Sequence, residues 1–139
     1  MFLPDVSLWV GLTLDSHIHH PSAKTWWDGT SEPILFNRMT QQGLFRIVTD
    51  RRIFPLDALN MTQAWNVYDT YLTDPRVSFA EEQIGVEFLW RRFTSTQMYS
   101  PKLWNDAYLA AFAIAGGYEL VTFDQGFKQF PGLNSTLLS

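Results

Sequence analysis

The sequence predicts an α/β sandwich around a mainly parallel central sheet. Short runs rich in β-branched and aromatic residues alternate with helical runs along the chain, the pattern of strands joined by crossover helices. Hydrophobic residues make up 46% and charged residues 17% of 139 positions, which fits one packed globule burying roughly two-thirds of its unfolded surface. No repeat, low-complexity tract or linker interrupts the pattern, so residues 1–139 read as a single domain. Parallel strands need crossovers, and these place helices on both faces.

Phe2 to Val6 reads as a short buried strand in which Pro4 marks an end or edge position. Leu8 to Leu14 begins a helix or turn. His19 to Trp27 is a helix with Pro21 in its first turn and Ala23, Trp26 and Trp27 on one side. Ile34 to Phe36 is a second strand. Thr40 to Val48 is a helix opened by Thr40, with Leu44, Phe45, Ile47 and Val48 as its apolar face. Thr62 to Leu72 is another, with Thr62 as N-cap and Trp65, Tyr68, Tyr71 and Leu72 at helical spacing. Val77 to Phe79 is a strand. Glu82 to Phe93 is a helix facing Ile84, Val86, Phe88 and Leu89 inward, with Arg91 and Arg92 at its negative end. After a polar loop from Ser95 to Pro101, Asn105 to Ala115 is a strongly apolar helix stopped by Gly116 and Gly117. Glu119 to Phe123 and Asn134 to Leu138 complete the strands.

Composition narrows the chemistry. There is no cysteine, which excludes disulfides, thiolate catalysis and Cys-based zinc sites. The N-terminus lacks a basic region and carries Asp5, unlike a secretory signal, and the apolar run Ala107 to Ala115 is too short to span a bilayer. A soluble cytoplasmic protein is expected. Ten Lys and Arg against fourteen Asp and Glu give a net charge of −4, which disfavours gripping nucleic acid by bulk charge. It leaves open an enzyme that handles phosphates through bound divalent cations, since these reverse the sign of an acidic pocket.

Three aspartates stand where such a pocket would form. Asp5 closes the first strand, Asp124 follows the Glu119 to Phe123 strand, and Asp106 falls in the first turn expected for the most apolar helix. In open α/β sheets, ligands bind outside the carboxyl ends of the strands. Distant acids can therefore meet there. Mg²⁺ and Mn²⁺ prefer hard oxygen ligands, and Mg²⁺ takes one or two carboxylates plus waters and phosphate oxygens. Such an ion promotes phosphodiester cleavage by activating water and stabilising charge. Each acid alone also reads as an ordinary cap or turn former, and Asp124-Gln125-Gly126 has the look of a turn.

The segments around these acids resemble a known family. Leu3-Pro4-Asp5-Val6-Ser7-Leu8-Trp9 is similar to the opening of PIN-domain toxins of the VapC kind. Asn105-Asp106-Ala107-Tyr108-Leu109-Ala110-Ala111 resembles their third-acid helix. Thr122-Phe123-Asp124-Gln125-Gly126-Phe127, running on to Phe130-Pro131-Gly132-Leu133, resembles their fourth-acid segment. The three occur in the family's order and span essentially the whole chain. The resemblance implies a PIN-like three-layer sandwich and a Mg²⁺-dependent endoribonuclease, usually homodimeric and silenced by a cognate antitoxin whose peptide fills the groove. It carries the principal metal ligands to Asp5 and Asp106, and the acid completing the pocket to Asp124. One departure is Gln41, which stands in Met39 to Leu44 where the family often has a Glu. Glutamine supplies neither negative charge nor a general base, which bears on a second metal. Asn37, Arg38 and Thr40 lie nearby as candidates to touch phosphate or metal waters.

Other residues read more simply. His17, His19 and His20 have no partner motif and are expected to be structural or surface groups. Trp9, Trp26, Trp27, Trp65, Trp90 and Trp104 are expected mostly in the core, with the stripe Trp65, Tyr68, Tyr71 and Leu72 the first candidate for a partner groove. Arg51-Arg52 and Arg91-Arg92 read as solvated surface, yet they are the arginine doublets available to guide phosphate. Two further functional classes compete. A phospho-accepting receiver domain wants an acidic pair after its first strand and a Lys after its last; Asp5 has no acidic neighbour, and Lys128 lies away from a clear strand end. A non-catalytic PIN-like binding module draws support from Gln41.

Overall fold

The computed structural model describes residues 1–139. Five strands, β1 (Phe2–Pro4), β2 (Ile34–Phe36), β3 (Val77–Phe79), β4 (Glu119–Thr122) and β5 (Ser135–Leu137), form one sheet in the order β3-β2-β1-β4-β5. Every pairing is parallel, so the sheet is wholly rather than mainly so. The helices are α1 (Val6–Thr13), α2 (His20–Gly29), α3 (Arg38–Val48), α4 (Met61–Thr73), α5 (Val86–Thr94) and α6 (Pro101–Gly116), and a 3₁₀ turn covers Gln125–Gln129.

Strand alternation divides the core into two layers. Leu3, Leu35 and Leu120 point to one face and pack with Val86 of α5 and with Leu109, Ala110 and Phe112 of α6. Ile34 and Phe36 point to the other and pack with Trp9 and Val10 of α1, Leu44 and Val48 of α3, and Ala64 and Tyr68 of α4. Val121 meets Leu8 of α1 and Ala23 of α2 on that same side. Helices thus cover both faces, as a parallel sheet requires. No helix is long and apolar enough to cross a membrane.

Pro4 ends a strand but not at an edge: β1 is central. The amide of Phe2 donates to Pro33 O on the β2 side (2.8 Å), and that of Asp5 to Val121 O on the β4 side (3.0 Å). Alternation puts the proline's missing N–H on the β2 side, where the β1–β2 ladder has already ended at Phe2–Ile34. No ladder bond is lost.

Helix starts differ from the sequence expectation for a shared reason. Asn37, not Thr40, caps α3; its Oδ1 accepts from Thr40 N (2.8 Å) while Thr40 Oγ1 accepts from Asn37 N (3.0 Å). Asn60, not Thr62, caps α4 in the same reciprocal way with Gln63. Here Asn outcompetes a nearby Thr for the cap. Helix α5 begins at Val86 after Gly85 in the left-handed region (φ 101°), so Glu82 to Ile84 lie outside it. Ile84 and Phe88, expected inside, are exposed; Val86 is buried and Leu89 and Trp90 pack against the core. Helix α6 begins at Pro101, one turn ahead of the expected Asn105, with proline supplying the preset φ of a first position.

Candidate functional site

In the strand order β3-β2-β1-β4-β5 the chain winds outward from β1 in one direction and then crosses to β4 on its other side. A crevice opens at the carboxyl ends of the two strands flanking such a reversal. Asp5 follows β1 directly, and Asp124 follows β4 by one intervening residue. A cleft of about 280 Å³ lies there, walled by Met39, Gly43, Arg46 and Ile47 of α3 and by Lys102, Asn105, Asp106 and Leu109 of α6. Asp5, Asp106 and Asp124 all line it.

Each carboxylate is placed by local structure. Asp5 is the N-cap of α1 and is buried; its Oδ1 accepts from Leu8 N (3.1 Å) and Ser7 Oγ (2.6 Å), and its Oδ2 accepts from Thr122 Oγ1. Asp124 caps the 3₁₀ turn through Gly126 N (2.8 Å), while its own amide donates to Thr122 Oγ1 (2.9 Å). Asp106 sits in the second turn of α6 rather than the first, since that helix starts early. One turn before it, Lys102 reaches Asp106 Oδ2 at 3.5 Å and Asp124 Oδ2 at 2.6 Å.

The electrostatics link all three acids. Burial raises Asp5 above the usual carboxylate range, against the bonds from Ser7, Thr122 and the Leu8 amide, and the Asp124 charge adds to the rise. Burial likewise raises Asp106, opposed by Lys102 and reinforced by Asp124 and Asp5. Asp124 is lowered, first by the Lys102 hydrogen bond and then by the Gly126 amide. Lys102 is raised, first by its hydrogen bond to Asp124 and then by the Asp106 charge. Mutual repulsion of this kind is relieved by a cation. The carboxylates share the cleft without closing into a tight cage of three ligands. Mg²⁺ asks for no such cage: one or two carboxylates suffice, and the Lys102 ammonium already shows that positive charge is accommodated between Asp106 and Asp124. The oxygen donor set fits a hard divalent ion.

Gln41 does not line the cleft. It is buried, and its Oε1 accepts from Arg38 Nη1 (2.5 Å), while the Arg38 guanidinium lies over the Phe79 ring. No residue that α3 presents to the cleft is acidic. Asn37 and Thr40 are engaged in capping and buried, so they serve the helix start. The histidines are structural: His17 Nδ1 accepts from His19 N (3.0 Å), His19 stacks on Phe123, and His20 Nδ1 bonds Gly11 O (2.8 Å). The stripe on α4 splits, with Tyr68 buried and Tyr71 half-buried but Trp65 and Leu72 exposed. Trp9 is fully buried, and Trp104 is exposed. Arg52 pairs with Asp50 and Arg91 with Glu87. Neither doublet lines the cleft; its cations are Arg46 and Lys102, which sequence reasoning missed. A Lys four residues before an Asp on a helix was the readable signal for Lys102, and Thr122 two residues before Asp124 was a weaker one.

Comparison with known proteins identifies relatives of the chain and of its fold. The PIN domain profile matches residues 2–133. The chain is 41% identical over 145 aligned positions to ribonuclease VapC41 of Mycobacterium tuberculosis, covering 100% of this chain and 99% of that protein. Its fold matches VapBC2 from Rickettsia felis, solved bound to a DNA fragment from its promoter, with a TM-score of 0.73 at 17% identity over 99% of this chain and 98% of the other. It also matches VapC20 of Mycobacterium tuberculosis, described as a sarcin-ricin loop cleaving toxin, with a TM-score of 0.71 at 16% identity over 96% and 97%.

Proposed function

Because this chain belongs to the PIN-domain family, and within it to the VapC ribonucleases, we propose that it cleaves RNA phosphodiesters in the cleft between α3 and α6, with Asp5, Asp106 and Asp124 as the acids that hold Mg²⁺ or Mn²⁺. The protein is a ribonuclease toxin of a toxin–antitoxin system. The observation that carries the site assignment is the meeting of these three acids, remote in sequence, in one cleft. A bound divalent ion would supply a Lewis acid that promotes ionisation of water and offsets charge on the phosphoryl oxygens.

The chain's own groups set the stage for that chemistry. Ser7, Thr122 and the Leu8 amide fix both oxygens of Asp5, while Gly126 fixes Oδ1 of Asp124. Asp106, on the opposite wall, has no such bonds beyond Lys102 and retains the freedom to adjust. In hydrolysis the entering water oxygen bonds to phosphorus, a ribose oxygen leaves with a proton, and the floor of fixed carboxylates orients the attack. The absence of an acid on the cleft face of α3 favours one tightly held ion over two. A cognate antitoxin protein bound over the cleft, a homodimer and a cytoplasmic location belong to the same reading. The related VapBC structures support the antitoxin.

The test is cleavage of an end-labelled single-stranded RNA by the purified chain. Activity is expected with Mg²⁺ or Mn²⁺, lost in EDTA, restored on re-addition, and reduced at least a hundredfold in Asp5→Asn and Asp106→Asn. Cleavage that persists in EDTA or in both variants refutes the assignment. Tight RNA binding with no turnover under any divalent ion would instead favour a non-catalytic module.

A further inference from the structure

The cleft holds one cation that stands in the last turn of α3 with no side-chain partner. Of the chain's Lys and Arg residues, Lys24, Arg52, Arg76, Arg91 and Lys102 pair with carboxylates, and Arg38 is tied to Gln41 and Phe79. Lys102 lines the cleft but is committed to Asp106 and Asp124. Arg46 lines it too, is exposed, and makes no ion pair or side-chain hydrogen bond within the fold. Three carboxylates sit in the same cleft, yet its guanidinium satisfies none of them.

Its placement follows from helix geometry. Met39, Gly43, Arg46 and Ile47 recur at the spacing of one helical face, so the cleft wall of α3 runs toward its C-terminal turn. At Gly43 the helix is pressed against α1: a Cβ there would come within 2.4 Å of Val6 Cγ2. That close approach fixes the wall, and Arg46 stands on the next turn, about 4.5 Å further along the axis. The acids occupy the floor and the α6 wall, and the arginine stands across from them.

We infer that Arg46 contacts an RNA phosphate flanking the one that is cut, anchoring the strand along α3 while the acids work on the scissile group. This rests on the ribonuclease reading above. An acidic cleft repels a polyanion, and only a cation outside the carboxylate set can hold the backbone without competing for those oxygens. Guanidinium suits the task, since its planar donors engage a phosphate in bidentate fashion.

The experiment uses full-length Asp106→Asn protein, in which cleavage is silenced by a near-isosteric change, and a fluorescein-labelled single-stranded RNA of mixed sequence. Binding is measured by anisotropy across a salt series, with Arg46→Gln and Arg46→Lys added to that background. Arg46→Gln is expected to weaken binding about fivefold to tenfold and to lower the slope of log K against log salt by about 0.7, one phosphate contact. Arg46→Lys should keep the slope and recover part of the affinity. In the otherwise wild-type chain, Arg46→Gln should raise KM for RNA more than it lowers kcat. A wild-type chain that cuts RNA while Arg46→Gln leaves Kd and slope unchanged overturns the Arg46 inference alone. A wild-type chain that neither cuts nor binds RNA overturns both it and the ribonuclease reading. Unchanged RNA binding with loss of an acidic protein partner would reassign Arg46 to that partner and so overturn the inference as well.

Discussion

Thr122, 117 positions along the chain from Asp5, donates its hydroxyl to that carboxylate and accepts the amide of Asp124 with the same oxygen. One buried side chain thus sets the spacing between the acids at the ends of β1 and β4. The geometry of the cleft floor depends on it.

Replacing Thr122 with Val keeps the volume and removes both bonds. Leaving the Asp5 carboxylate and the Asp124 amide short of a partner is expected to cost about 1–3 kcal/mol of stability and to weaken Mn²⁺ binding. Thr122→Ser should restore most of both. Urea denaturation and calorimetric Mn²⁺ titration provide the readings, and a Val variant as stable and as tight as the parent would remove Thr122 from this role.

Asp106→Asn should separate function from stability. Asp106 is raised by burial and by its acidic neighbours. The folded state therefore holds its proton more tightly than the unfolded one. As pH climbs from the ordinary carboxylate range through the raised folded value, this group progressively destabilises the fold. In EDTA, Asn at 106 is expected to raise the melting temperature at pH 8, and the gain should vanish near pH 4. Asp124 has the opposite sign: lowered by Lys102, it contributes stability that is lost as pH falls through its folded value. A melting temperature for Asp106→Asn below the parent's at pH 8 would contradict this account.

Lys102→Met should tighten divalent binding several-fold. The ammonium contacts Oδ2 of both Asp106 and Asp124, oxygens that a metal ion would also use. Its side chain is 69% exposed, so losing the pairs costs at most about 1 kcal/mol of fold stability. Mn²⁺ affinity that is unchanged or weaker would show that the ammonium and the ion do not share ligands.

Gly43→Ala sets two effects against each other. Helix propensity favours Ala by about 1 kcal/mol. The new Cβ would meet Val6 Cγ2 at 2.4 Å and Cγ1 at 3.1 Å, and a β-branched residue in a helix has little rotamer freedom to retreat. Overpacking is expected to dominate, with a net loss of about 1–2 kcal/mol and a fall in RNA cleavage as α3 shifts away from α1. An Ala variant more stable than the parent would mean that Val6 yields freely.

Period and turn chemistry made the layers legible in the sequence. All five strands and the alternation of helices could be read because each rests on local pattern. The meeting of the three acids was legible only from their places at strand ends and a helix start and from the family's order. What could not be read was decided by competition or by tertiary contact. Asn37 and Asn60 took caps that Thr40 and Thr62 were also able to form. Pro101 opened α6 a turn early and carried Asp106 into the second turn. Ile84 and Phe88 have the spacing of a core face but no opposing surface to pack on. Gln41 drew attention by its place in a family pattern, whereas the cleft face of α3 belongs to Met39, Gly43 and Arg46. Nothing local marks a helix face as a cleft wall, so Arg46 carries no signal in the sequence, and the spacing of Lys102 from Asp106 is the one local sign of Lys102.

The central place of β1 has a consequence for how the protein is made. Asp5 leaves the ribosome well before its partner strand β4 and the acid beyond it. A nascent chain that has emerged through α6 possesses two of the three acids and no floor on which to align them. The floor is therefore assembled only when β4 docks beside β1, and any chemistry that needs all three acids waits on that pairing.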